Sequence, residues 1–310
     1  MKKEIIILLI VIAALSGYLV LRKTDHTNYE VPELEKLAAA DVDRMEIKEG
    51  ETLLLFEKKE GDWAVDIEGF PGKKEEIERE VKVASELALT TLVSESKSYG
   101  RYNLDDSKGK KVSLFQGETL LRSFSVGKAA PSSQHTFVVV GDDTNVYHAR
   151  GNLSNQFVTI ADRYIDKKVF DMELQEINGI SVTLDGKTVA AKRSTQQTGE
   201  GDAATTQTTW VDETGAPLGK SKVDNLVATL STLTCDSWLA PTGQSTPEEA
   251  IITIVTDRPH TLTLFEATEN EEGEEQTAKA SDKSFSFKLS TATWNNLKNG
   301  MDAMLQNEKG

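Results

Sequence analysis

The chain reads as an α+β protein: an N-terminal transmembrane helix, then two tandem repeats of mainly antiparallel sheet with packed helices. Three observations predict this. An uncharged apolar run fills residues 5–21. Beyond it, short segments alternate apolar and polar residues and are separated by turns rich in Gly and Asp. The two halves also repeat one order of hairpin, Trp strand and amphipathic helix.

The run is built from Ile5, Ile6, Ile7, Leu8, Leu9, Ile10, Val11, Ile12, Leu15, Tyr18, Leu19, Val20 and Leu21, with Lys2 and Lys3 before it and Arg22 and Lys23 behind it. Its 17 residues span roughly 25 Å, the short end of a bilayer helix. A cleaved signal peptide has a shorter apolar core and a small-residue cleavage site, and Ala14-Leu15-Ser16 fits such a site. Apolar residues resume at Tyr18 and stop only at Arg22, which favours an uncleaved anchor while leaving the signal peptide open. Two cations stand on each side, so they do not orient the segment. No Cys lies near residue 20, so lipid acylation there is excluded. The expectation is a single-pass protein of the inner, cytoplasmic membrane with residues 25–310 outside the cytoplasm.

The whole chain carries a formal charge of −15; its first 24 residues hold four cations and one anion, leaving −18 on the remainder. Such a body repels nucleic acid and anionic headgroups. The single Cys, Cys235, excludes an intrachain disulfide.

The repeats align in order. VDRMEIKEGETLLLFEKK from Val42 lies over INGISVTLDGKTVAAKR from Ile177 at an offset of 135, and both predict hairpins turning at Glu49-Gly50 and Asp185-Gly186. The second half carries a Thr-, Gln- and Gly-rich insertion, Ser194–Thr206, expected as a disordered hairpin tip. Past it Trp63 falls on Trp210. A helix follows in each half, with Ile77, Val81, Ala84 and Leu87 over Val223, Val227, Leu230 and Leu233. The opposite face of the first helix, within KKEEIEREVK, reads as solvated. Trp63, Ile77, Val81 and Leu87 in the first half, and Trp210, Val223, Val227 and Leu233 in the second, are thus the expected repeat core. Further strands are expected around Val112, Phe124, Phe137 and Tyr147, then around Ile252, Leu262 and Phe285. The acidic tract Glu269–Glu275 reads as a loop tip, and closing helices are expected over Leu153–Phe170 and Thr291–Leu305. The division is 1–24 anchor, 25–41 linker, 42–171 first repeat and 172–310 second repeat.

Three short segments complete this order: Gly61-Asp62-Trp63, Tyr102-Asn103-Leu104-Asp105 and Phe124-Ser125-Val126-Gly127-Lys128, with Asp162-Arg163 and Asp166–Phe170 further on. Together they resemble the bacterial family known as domain of unknown function 4340. Asn103 stands where that family usually has Gly. The resemblance implies a membrane-anchored companion of an ABC-type transport system, some relatives lying near gliding-motility-type components. It carries over no catalytic residue.

Motifs for chemistry are weak. Ser94-Glu95-Ser96-Lys97 matches S-x-x-K, but that chemistry needs the start of a buried helix and partner motifs that do not follow. His26, His135, His148 and His260 have no metal-ligand spacing. Asp142-Asp143 and Asp185-Gly186 do not continue into a calcium loop and read as turns. No catalytic, cofactor-binding or metal-ligating residue is assigned. The expectation is a non-enzymatic extracytoplasmic accessory protein whose partners are the membrane and a transport complex, not nucleic acid. The rivals are a hydrolase or transferase acting on envelope polymers and a glycan-binding module.

Overall fold

Apolar residues recurring every second position turn most of this chain into half-buried strand. The structure, a computed structural model, describes residues 11–13, 16, 18, 31–198, 205–241, 247–270 and 273–306. Two compact units result. One comprises the described residues up to Asp66 together with Lys73–Tyr164; the other comprises Ile67–Gly72 and the residues from Ile165 onward.

The first unit contains β1 (Arg44–Glu49), β2 (Thr52–Lys59) and β3 (Asp62–Val65), and the chain then passes through β4 (Phe70–Pro71) of the second unit. It returns with helix α1 (Lys74–Ser85), β5 (Leu89–Ser94), β6 (Lys110–Gln116), β7 (Thr119–Ala129), β8 (His135–Val140), β9 (Val146–Arg150) and the short helix α2 (Leu153–Gln156). The second unit continues with β10 (Gly179–Leu184), β11 (Lys187–Thr198), β12 (Thr205–Val211), α3 (Lys220–Ser231) and β13 (Ser237–Leu239). It ends with β14 (Glu248–Val255), β15 (Pro259–Phe265), β16 (Thr268–Asn270), β17 (Gly273–Ala280), β18 (Ser286–Leu289) and α4 (Thr291–Leu305).

Strand order is the same in the two units. The first runs β3-β2-β1-β6-β7-β8-β9-β5, the second β12-β11-β10-β14-β15-β17-β18-β13, with β16 paired to β17 alone. Register repeats as well. Met45 faces Phe56 and Ile47 faces Leu54 in the first hairpin; Ile180 faces Ala191 and Val182 faces Val189 in the second. Each central strand puts its buried residues on the face that receives a helix, and α1 packs on β3 and β6. In the second unit α4 packs on β10 and β11, and α3 packs on α4 and β12. The expected core residues are all buried: Trp63, Ile77, Val81 and Leu87, and Trp210, Val223, Val227 and Leu233.

The α+β assignment with an N-terminal transmembrane helix is corrected. The described chain is mostly two large antiparallel sheets with few helices. Among the described residues no helix is long and apolar enough to cross a membrane. Of the apolar run only Val11, Ile12, Ala13, Ser16 and Tyr18 are described, helical and exposed. Ile5, Ile6, Ile7, Leu8, Leu9, Ile10, Leu15, Leu19, Val20 and Leu21 lie outside the described residues. The five described residues of the run are too few for a span, which takes about 20.

Three further segments depart from the sequence reading. The helix expected over Leu153–Phe170 ends at Gln156, where β-branched Val158, Thr159 and Ile160 follow. The segment 157–164 instead lays Phe157 edge-on to Phe124 and Tyr164 edge-on to Phe56. The Thr-rich insertion extends β11 and β12 as paired strands up to Thr198↔Thr205. The acidic tract is occupied by β16 and the start of β17, because Gln276, Ala278 and Ala280 alternate inward. Small and polar inward residues hid that period from the sequence.

The two Trp residues differ in one bond. Trp210 Nε1 donates to Asp224 Oδ1 at 2.7 Å. Trp63 Nε1 is buried with no hydrogen-bond partner among the described residues. Trp210→Phe is therefore expected to cost about 1.5–3 kcal/mol more than Trp63→Phe, the difference being a hydrogen bond to a charged group. Urea unfolding of both variants checks this, and equal costs would refute it.

Candidate functional site

On one face of the first sheet two of the short motifs singled out in the sequence, Tyr102–Asp105 and Phe124–Lys128, come together. Phe124 and Val126 of β7 are buried in the core, so Ser125 and Gly127 point to the opposite face. There a 3-10 turn, Tyr99–Tyr102, lies across the strands. A Cβ on Gly127 would collide with the Tyr102 carbonyl oxygen and press on the Leu104 side chain. Only glycine admits the turn this closely. The turn ends at Asn103, whose φ is 55°. That left-handed conformation is one that Asn, after Gly, tolerates best, which explains the Asn at this position.

Leu104, Ala130, Phe137 and Val146 form a small buried cluster under the turn, flanked by Val93, Tyr99, Tyr102 and Val139. Tyr102 packs on Phe137 at 4.7 Å between ring centroids, and the Tyr99 hydroxyl donates to the Thr144 carbonyl at 3.0 Å. Tyr99, Leu104, Asp105, Asp106, Ser125 and Val139 line an open groove of about 330 Å³. The Ser107 hydroxyl donates to Asp105 and holds its carboxyl below the usual range. The groove therefore offers two carboxylates, Asp105 and Asp106, the Tyr99 ring and the Ser125 hydroxyl.

His135 and His148 lie beside this cluster on β8 and β9, ring centroids 5.7 Å apart, and His148 rests on Phe137 at 4.8 Å. Burial first, then the neighbouring His135, pushes the His148 pKa down. Among the described residues no group of three or more His, Cys, Asp or Glu is placed to hold a metal. His26 lies outside the described residues.

The remaining sequence candidates separate. Ser94 ends β5, bonds the Ser96 hydroxyl at 2.8 Å, and Lys97 sits in a turn at φ 53°. The buried helix start that S-x-x-K chemistry requires is not formed there. His260 instead closes a constellation at the β14–β15 turn. Its Nδ1 lies 2.7 Å from Asp282 Oδ2 and its Nε2 2.9 Å from Thr256 Oγ1. The same Thr256 hydroxyl donates to Asp257 Oδ1 at 2.9 Å, inside the turn.

Sequence reasoning missed Glu80. It was assigned to the solvated face of α1, yet it is fully buried. Gln156 Nε2 donates to it at 2.8 Å, Arg163 Nη2 lies at 3.4 Å and the Tyr164 hydroxyl at 3.5 Å. Its position three residues after Ile77 and four before Ala84, on the apolar stripe, was the available signal. Burial outweighs the donors and raises its pKa, and burial beside Glu80 pushes the Tyr164 pKa up to about 12.

Two predictions follow from these contacts. Asn103→Gly is expected to leave stability within a few tenths of a kcal/mol, and Asn103→Val to cost about 1–2 kcal/mol because of its left-handed backbone. Gly127→Ala is expected to cost more than either, since backbone must move. Thermal unfolding of the three variants ranks them. Glu80 has a folded pKa above its unfolded value, so its protonated form stabilises the fold below about pH 4.5. That contribution is lost as pH rises through the folded pKa. Glu80→Gln should flatten the pH dependence of stability above pH 4.5, and an unchanged slope would count against this account.

No curated protein and no solved structure matches the chain. A family model matches residues 63–252, a span holding the Trp63 strand, the Tyr102–Asp105 turn and the Gly127 strand. With more than half of its length so matched, the chain belongs to the family described as domain of unknown function (DUF4340).

Proposed function

We propose that this protein is a non-enzymatic accessory protein that acts outside the cytoplasm at the membrane surface and binds a component of a transport complex. The observation that supports this most is how the polar groups are used. Glu80, Asp224 and Asp282 each close on partners that tie one element to another, as structural polar groups do. The groove over β7 and β8 adds a recognition surface with the Tyr99 ring and the carboxylates of Asp105 and Asp106. The membrane location and the transport partner rest on the resemblance drawn from the sequence.

Tagged full-length protein extracted in mild detergent is expected to retain a membrane transport component, and Gly127→Ala or Tyr102→Ala is expected to weaken that retention. Recovery of the protein alone under mild conditions would sink the reading. Protease added to spheroplasts should digest the body; a protected body would place it in the cytoplasm.

A second reading, a hydrolase of envelope polymers, has the Thr256–His260–Asp282 geometry in its favour, a hydroxyl, base and orienting carboxylate in sequence. Against it, Thr256 Oγ1 is shared with the turn carboxylate of Asp257. A hydroxyl-directed covalent probe that labels the protein and fails on Thr256→Ala would favour the hydrolase.

A further inference from the structure

The β11–β12 hairpin outruns its sheet. β10 stops pairing at Gly179, opposite Lys192. Past Arg193, whose N–H donates to the Asn178 carbonyl at 2.8 Å, β11 pairs with β12 alone, from Ser194↔Thr209 through Thr195↔Thr208 to Thr198↔Thr205. β12 is also the terminal strand of its sheet. Its outer side is closed only at the root, where Leu218 N–H donates to the Trp210 carbonyl at 2.8 Å and Val211 bridges Pro217. Alternate residues of a strand aim their backbone groups to the same side. Thr206 and Thr208 therefore share the outward side with Trp210, and the described residues supply no further strand there.

Natural proteins blunt such an edge with charge, Pro or a bulge. This one has none of these: residues 194–198 read STQQT and 205–209 read TTQTT, and their register is unbroken. Thr favours strands, while a two-stranded ribbon alone is marginal in water. The rest of the chain bears on the choice of occupant. With −15 overall, two copies repel across most of their surfaces. These paired strands are uncharged, so copies can approach through them. Antiparallel pairing of a strand with its own copy is self-complementary and closes after two subunits. The β11 edge is the poorer candidate, because Arg193 reaches the Leu174 and Gln175 carbonyls at its root.

We propose that the β12 edge, Thr205–Thr209, pairs antiparallel with the same edge of a second copy, giving a four-stranded ribbon that holds a homodimer. This goes beyond the accessory function and does not depend on it.

Light scattering of the full chain in detergent, over a range of concentrations, tests the pairing. Wild type should pass from one copy to two as concentration rises. Thr208→Pro removes a donor aimed at the partner strand and should raise the dissociation constant at least tenfold. A second variant replaces residues 195–208 with Asn-Gly, a two-residue turn that closes Ser194 against Thr209. It should be monomeric with an unchanged unfolding temperature, since loop length enters stability only logarithmically. A wild type that remains a single copy throughout overturns the proposal, as does a dimer that persists unweakened in the shortened hairpin.

Discussion

Each unit hangs on one strand that must keep one face dry. In β1 that face is Met45 and Ile47; in β10 it is Ile180 and Val182, all buried. Each of these strands is flanked on both sides, β1 by β2 and β6, β10 by β11 and β14. A slip of one residue would turn the whole set to water. Register therefore propagates outward from the central strand: Met45 sets Phe56 and Leu114, and Ile180 sets Ala191 and Ile254. The helices then have a single apolar surface on which to lie. Helix–sheet burial, not helix propensity, holds α1, whose twelve residues are too few to persist alone.

The opposite face of the first sheet shows how a local backbone demand shapes a surface. Gly127 lets the Tyr99–Tyr102 turn come down onto β7, and Asn103 supplies the left-handed residue that ends the turn. Leu104 is thereby carried onto Phe137 and Val146, and the rings of Tyr99 and Tyr102 are held at the rim. A groove lined by side chains from distant parts of the chain is the product. The Ser107 hydroxyl donates to the Asp105 carboxylate there and lowers its pKa.

Polar groups inside the body act as ties. Arg122 Nη1 donates to the Ala84 carbonyl at 3.2 Å and to the Ser85 carbonyl, closing the C-terminus of α1 where orphan carbonyls remain. Glu80 ties α1 to Gln156, Arg163 and Tyr164. In the second unit Trp238 Nε1 donates to the Asp166 carbonyl at 2.7 Å, and Val169 N–H donates to the Leu233 carbonyl at 3.0 Å. Thus the Asp162–Phe170 segment, noted in the sequence as a motif, contributes bonds and buried side chains in place of the long helix expected there.

By itself the sequence determined the elements whose signal is local. The hairpins at Gly50 and Gly186, the matched Trp residues and the stripes from Ile77 and Val223 were legible because a period of two or 3.6 shows in neighbouring residues. The C-terminal helix, with Trp294, Leu297 and Met301 buried, was legible for the same reason. Tertiary structure alone decided the rest. β17 buries Gln276, Ala278 and Ala280, residues that carry little hydrophobic signal, and it is a strand because β15 and β18 lie beside it. Glu80 is buried because Gln156, Arg163 and Tyr164, more than 70 residues away, supply its partners. The groove depends on Gly127 meeting Tyr102, a close approach that no spacing within the chain encodes. Local patterns fix which face of an element is apolar. Which distant groups meet, and which polar atoms they satisfy, is settled only when the sheets close over them.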